Sequence, residues 1–372
     1  MQSSMGHKIK LKMATKKQPK DEDWLDRQDA LDEVAEKIAH GDPSTPQNVK
    51  VMESLSRSID CSALFDALCG KKQVRSLSLV GVHLDEITAR RLSNTLRHPS
   101  TKIKVLQVWR FLPSCLPSLC DALKDNVELR EIRLAFHGDL NHEQTTMLLE
   151  ALQANQGLLA IRLFGVNLSD HAKELESLIC NRRQTKELRL SRCQMTDISG
   201  LAGAIAESKT LDKLDLSMNK LSSDRDIATI LQSKSLTSLI LSKNQIGKEN
   251  GSYVKPILAA NSTLEELFLE GNPLSEKFAS SLLGALHYNT SLKRLGFMTF
   301  YMGTSIPLHL DASLRHTVAM NNAGRGWLRA VSAPETTPAE LALLSPILHR
   351  ARSDPSALFG VLREHTNLWV KP

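Results

Sequence analysis

Residues Leu211–Leu221 read LDKLDLSMNKL, Leu236–Ile246 read LTSLILSKNQI, and Leu264–Leu274 read LEELFLEGNPL. All three fit one frame, L-x-x-L-x-L-x-x-N-x-L. The frame recurs upstream as VRSLSLVGVHL from Val74, IKVLQVWRFLP from Ile103, LREIRLAFHGD from Leu129, LLAIRLFGVNL from Leu158 and TKELRLSRCQM from Thr185. Downstream a degraded copy, LKRLGFMTFYM, starts at Leu292. The nine starts fall 25–29 residues apart. A fixed period of this length is the signature of a stacked repeat array.

Between these motifs lie stretches with apolar residues at three- and four-residue spacing, which predict helices. HEQTTMLLEALQANQ follows Asn141, DHAKELESLICNRRQ follows Ser169, and EKFASSLLGALHYNT follows Ser275. Met147, Leu148, Ala151 and Leu152 form the apolar face of the first; Leu175, Leu178 and Ile179 form that of the second. Each unit is therefore strand, turn, helix. Strands joined through a helix lie parallel, and stacking them predicts a parallel sheet inside and helices outside.

The repeat length and a helix ending in A-x-x-x-N-x-x-L, as in ILAANSTL from Ile257 and LLGALHYNTSL from Leu282, resemble the ribonuclease-inhibitor type of leucine-rich repeat. The resemblance covers about residues 60–302. It implies an α/β horseshoe solenoid with a concave parallel sheet, convex helices, about nine repeats, helical caps and a protein-binding surface. It does not imply inhibition of ribonuclease, because that inhibitor is cysteine-rich and acidic and this chain is neither. It also implies that the Asn/Cys column, here Cys193, Asn219, Asn244 and Asn272, faces inward. The physics agrees, since a buried turn needs a short polar side chain to pair its backbone groups.

Working outward, the repeats are expected over residues 71–302. Residues 21–70 read as a helical N-terminal cap: DEDWLDRQDALDEVAEKIAH places Trp24, Leu31, Val34 and Ile38 near one helical face. GDPSTPQN then breaks the pattern, and a second helix is expected from Val49 to Leu68. Residues 303–336 read as an irregular connector punctuated by Gly324, Gly326 and Pro334. TPAELALLSPILHRAR and SDPSALFGVLREH then predict a C-terminal helical cap over 337–372, each helix opened by a Ser/Thr-to-Pro start.

Composition narrows the function. The chain has 372 residues, with 47 Lys and Arg against 41 Asp and Glu. Six of those lysines, and no acid, lie in residues 1–20, so the remainder carries 41 of each sign. A neutral body weakens the case for nucleic acid. The Lys-rich start reads as a solvated tail, with a nuclear-import address as the alternative. No secretory signal or membrane span is read, so a cytoplasmic setting is expected. The six cysteines show no C-x-x-C spacing and read as reduced thiols.

No catalytic motif is present: neither a phosphate-binding loop, nor G-x-S-x-G, nor H-E-x-x-H. No enzyme activity, metal or cofactor is therefore expected. His137 and His142 beside Asp139 and Glu143 could suggest a metal, but one falls on the Asn/Cys column and the other starts a helix. The sequons at Asn167, Asn261 and Asn289 read as parts of the repeat.

The informative residues face the concave side. Side chains alternate along a strand, so the fifth repeat position forms a ladder: Ser78, Gln107, Arg133, Arg162, Arg189, Asp215, Ile240, Phe268, Gly296. Positions seven and eight beside it add Trp109, Arg110, Phe136, Phe164 and Arg192. Three neighbouring Arg repel one another unless something offsets them, and Arg with aromatics mark binding hot spots. Glu131 and Glu187, at the third position, are the internal alternative. The function expected is a scaffold or adaptor whose concave face holds a protein with an acidic docking region. Two other readings stand beside it: a GTPase-activating or GTPase-regulating protein of the same repeat type, and RNA or nucleotide recognition by the Arg/aromatic patch.

Overall fold

The computed structural model describes residues 24–25, 27–53, 59–181, 184–297 and 306–326, together with Arg363. Eleven strands form one sheet: β1 (Trp24–Leu25), β2 (Asn48–Met52), β3 (Ser76–Val80), β4 (Val105–Phe111), β5 (Glu131–Phe136), β6 (Ala160–Phe164), β7 (Glu187–Ser191), β8 (Lys213–Asp215), β9 (Ser238–Ile240), β10 (Glu266–Phe268) and β11 (Arg294–Gly296). They lie in chain order, and each pairs its neighbour in parallel. A helix follows each strand. Those used below are α1 (Gln28–His40), α2 (Ser62–Leu68), α3 (Glu86–Arg97), α4 (Leu116–Asp125), α5 (His142–Ala154), α6 (Ala172–Cys180), α7 (Ser199–Glu207), α8 (Asp224–Ile230), α9 (Val254–Ala260), α10 (Glu276–Leu286) and α11 (Leu308–Asn322).

The pattern of each strand explains its place. In β5, Ile132 and Leu134 are buried, while Glu131, Arg133 and Ala135 stay half-exposed on the other face. The fourth repeat position lines up as Leu77, Leu106, Ile132, Ile161, Leu188, Leu214, Leu239, Leu267 and Leu295. Burying one such side chain stabilises by roughly 1.5–3 kcal/mol. These residues join the inner faces of the helices in one continuous core running from Leu31 to Val318. Strands pack about 4.8 Å apart and helices about 8–10 Å apart. The sheet is therefore the inner, concave face of a horseshoe solenoid.

The helices begin where the sequence signals them. Asn141 caps α5 by accepting from the Gln144 amide, while the Gln144 side chain accepts from the Asn141 amide. Asp85, Ser223 and Ser275 cap α3, α8 and α10 in the same way on one side.

The ends differ from the sequence expectation. The helix expected over residues 21–40 starts at Gln28, and Trp24 lies in β1, paired with Lys50. The helix expected from Val49 is instead β2 followed by α2. Val49 and Val51 are buried on either side of half-exposed Lys50, a two-residue period that suits β-branched residues in a strand. Two further strands thus precede the nine recognised. Within the connector expected to be irregular lies α11, whose Leu310, Leu314 and Val318 are buried at helical spacing. The Lys-rich tail at 1–20 and the two C-terminal helices at 337–372 fall outside the described residues, Arg363 excepted.

Candidate functional site

The register sets the fifth-position residues side by side: Gln107 with Arg133, Arg133 with Arg162, and Arg162 with Arg189. Extended toward the N-terminus, the same row reaches Lys50. The three guanidiniums do not face one another unscreened. Arg133 Nε donates to Glu131 Oε1 at 2.6 Å. Arg162 Nη2 lies 3.1 Å from that same carboxylate oxygen. On its other side Arg162 Nε sits 3.0 Å from Glu187 Oε1, and Arg162 Nη2 donates to Glu187 Oε2 at 3.2 Å. Arg189 Nε donates to Glu187 as well. The result is an alternating chain, Arg133–Glu131–Arg162–Glu187–Arg189, in which the protein supplies its own counter-charges.

Burial works to raise the Glu187 carboxyl. The hydrogen bond from Arg189 and the charges of Arg189 and Arg162 outweigh it and hold the group below the ordinary carboxylate value. Ionised Glu187 therefore belongs to the surface, and the net charge of the five groups is one positive unit.

Exposure shifts the attention one row along. Trp109 is 48% exposed and Phe164 42% exposed, two large apolar side chains on one exposed row of the sheet. Trp109 pairs with Ala135, and Ala135 with Phe164. Phe136 leaves this group. A bulge at Arg110 pairs Phe136 with Phe111, and their rings meet edge to face at 5.9 Å, packing Phe136 against the core.

Position eight has its own rule, which the sequence reading missed. Its backbone is left-handed at Gly81, Arg110, Gly165, Arg192, Met218, Lys243 and Gly271, with φ between 57° and 75°. At five of them the amide donates to the position-seven carbonyl one repeat on: Gly81 to Trp109, Gly165 to Ser191, Arg192 to Ser217, Met218 to Ser242 and Lys243 to Glu270. Three of these positions hold glycine, the visible signal. The other four hold long exposed side chains, three of them cationic. Left-handed backbone costs a non-glycine residue about 1–2 kcal/mol. Neither Arg110 nor Arg192 has an ion-pair partner among the described residues.

Beneath this surface, two ladders fix the geometry. The Asn219 amide donates to the Leu190 and Leu216 carbonyls and its oxygen accepts from the Cys193 and Met195 amides. Asn244 and Asn272 repeat the arrangement in the next units. Cys193 is buried, and burial pushes its thiol up to about 12. A second ladder closes the helix ends: Asn126, Asn155, Asn261, Asn289 and Asn321 each donate to carbonyls of the preceding unit. Asn261 and Asn289 are buried in this role, which removes their sequons from reach of a glycosyl group.

His142 stacks on His171, ring centroids 4.4 Å apart, on the helical side; His137 is exposed. Among the described residues, no group of three or more His, Cys, Asp or Glu could hold a metal ion. All six cysteines are free. Among the described residues, no helix is long and apolar enough to cross a membrane.

The Leucine Rich repeat family matches residues 232–252. Mouse NACHT, LRR and PYD domains-containing protein 14 is 28% identical over 339 residues, covering 82% of this chain and 30% of that protein. Pig ribonuclease inhibitor is 24% identical over 265 residues, covering 61% of this chain and 58% of the inhibitor. The chain thus spans under a third of the mouse relative's length. Among solved structures, an internalin C2 from Listeria monocytogenes superposes with a TM-score of 0.41 at 19% identity, covering 72% of this chain and 92% of that one. The repeat register and these similarities support a leucine-rich-repeat protein of the ribonuclease-inhibitor type.

Proposed function

We propose that the chain is a non-catalytic scaffold that holds a protein partner on the concave face of its sheet, and that the partner docks through an acidic region. The observation that carries this is the exposed row: Trp109, Phe164, Arg110 and Arg192, set on a sheet whose backbone is tied down by the Asn ladders. Exposed aromatics and arginines on a rigid base are the usual anchors of protein interfaces. Arg133, Arg162 and Arg189 take a different part from the one read off the sequence. Their internal pairing with Glu131 and Glu187 makes them a pre-arranged polar floor, with a single unit of positive charge left over.

The test is affinity capture with mass spectrometry, comparing the wild-type chain with Trp109→Ala/Arg192→Glu. These residues are exposed, so the variant keeps its melting temperature. Loss of a defined partner from the variant supports the reading. The same partners on both move the interface off the concave face. Reversing all three ladder arginines is a poor test, because it would set five carboxylates together and damage the fold.

A further inference from the structure

We propose that Trp109 and Phe164 form an open slot over Ala135 that receives one aromatic side chain of an acidic peptide segment. The proposal rests on the protein-binding reading above and names the chemistry of that partner. Trp109, Ala135 and Phe164 occupy one row on three adjacent strands. The two strand positions that carry the rings therefore stand two strand spacings apart, roughly 9–10 Å. A third ring midway lies about 4.8 Å from each, inside the range of about 4.5–7 Å in which aromatic rings pair. Ala135 leaves this gap open, because its methyl group reaches little beyond the backbone. Both side chains are substantially exposed, at 48% for Trp109 and 42% for Phe164.

Charge decides what flanks the inserted ring. Arg110 adjoins Trp109, and Arg192 lies one strand beyond Phe164 at the same rim, both exposed on left-handed backbone. Carboxylates on either side of the aromatic residue complement them. An arginine in the slot would meet like charges at this rim. A single-stranded nucleic acid is also disfavoured, since the Glu131 and Glu187 carboxylates in the floor accept hydrogen bonds and a phosphate has no donor for them. A peptide backbone, in contrast, offers them amide donors.

The experiment selects a phage-displayed random dodecapeptide library on the full chain. The winning synthetic peptides are then measured by fluorescence anisotropy. The expected consensus is an aromatic residue with Asp or Glu within a few positions. Ala135→Leu, which fills the slot, and Trp109→Ala, which opens it, should each weaken the winning peptide by about tenfold or more, the loss typical of an interface hot spot. Replacing the peptide's aromatic by alanine should weaken wild type by a similar factor and leave Ala135→Leu unchanged. A consensus without an aromatic, no consensus, or displacement of the peptide by a ten-nucleotide RNA overturns the proposal. If Arg110→Glu/Arg192→Glu abolishes binding while Ala135→Leu and Trp109→Ala keep it, the slot falls and the concave interface stands. If all variants keep the peptide, both fall.

Discussion

Arg162 reaches between strands to Glu187, its Nε 3.0 Å from the carboxylate, and so places an ionised acid among three arginines. Glu187→Gln removes that charge and weakens two pairings. Hydrogen bonds to charged groups contribute about 1.5–3 kcal/mol, and Arg162 and Arg189 are partly solvated, so a loss near the lower end is expected in urea unfolding. The Glu187 carboxyl is held below its ordinary value in the folded chain. Its contribution is therefore complete above the unfolded carboxylate range and declines as pH falls toward the folded value. The gap between wild type and variant should narrow from pH 6 toward acid. A constant gap would show that the pairing adds no stability.

The stacked imidazoles respond on a different range. Burial, followed by the nearby His142, lowers the His171 pKa, while Glu174 and Asp170 act in the opposite sense. The unfolded chain thus takes up a proton that the folded one resists. Stability is full above the unfolded histidine value of about 6.5 and is lost as pH drops below it, until the folded group also protonates. Melting scans from pH 7.5 to 5.5 should show a decline that His171→Phe lacks. Parallel declines would remove His171 as the cause.

Asn289 is 1% exposed and serves three backbone groups: it donates to the Leu258 and Asn261 carbonyls and accepts from the Leu292 amide. Asn289→Ala orphans them. At about 1–3 kcal/mol for a buried group left unpaired, this should rank among the most damaging single changes, though the truncation removes only Cγ, Oδ1 and Nδ2. Chemical unfolding of the variant measures it, and a cost below about 0.5 kcal/mol would mean that water replaces the amide.

At Arg192 the backbone preference and the side chain make separate contributions. Arg192→Gly relieves left-handed strain of about 1–2 kcal/mol but adds unfolded-state freedom costing about 0.5–1 kcal/mol, so its melting temperature should be equal or slightly higher. Arg192→Val, β-branched in a left-handed site, should melt lower. Both should lose affinity for an acidic peptide. Equal melts for glycine and valine would show that the φ of 58° relaxes without cost.

The repeats from Val74 to Leu292 were readable because leucine marks the core at every unit. β2 escaped because its core residues are Val49 and Val51, though they sit 28 residues before Leu77 and Leu79 in the same register. α11 escaped because its strand motif had decayed; its end, Thr317-Val-Ala-Met-Asn321, still echoes the helix ends at Ala285–Asn289. The order of the Arg ladder follows from period two alone. Which carboxylate each arginine takes depends on rotamers and on reach across strands, which no linear pattern encodes. Phe136 was misplaced because one bulged residue, Arg110, shifts the pairing by a position.

Strand order equals chain order throughout the sheet, so distance along this surface is counted in whole units. Gaining or losing one repeat between Trp109 and Phe164 would move the two rings apart or together by one strand spacing, about 4.8 Å, while leaving every other unit's packing as it was. The surface is in effect a ruler with fixed graduations. Its selectivity can be revised in discrete steps by duplication or deletion, and one such step would be enough to make the slot too wide, or too narrow, for a single ring.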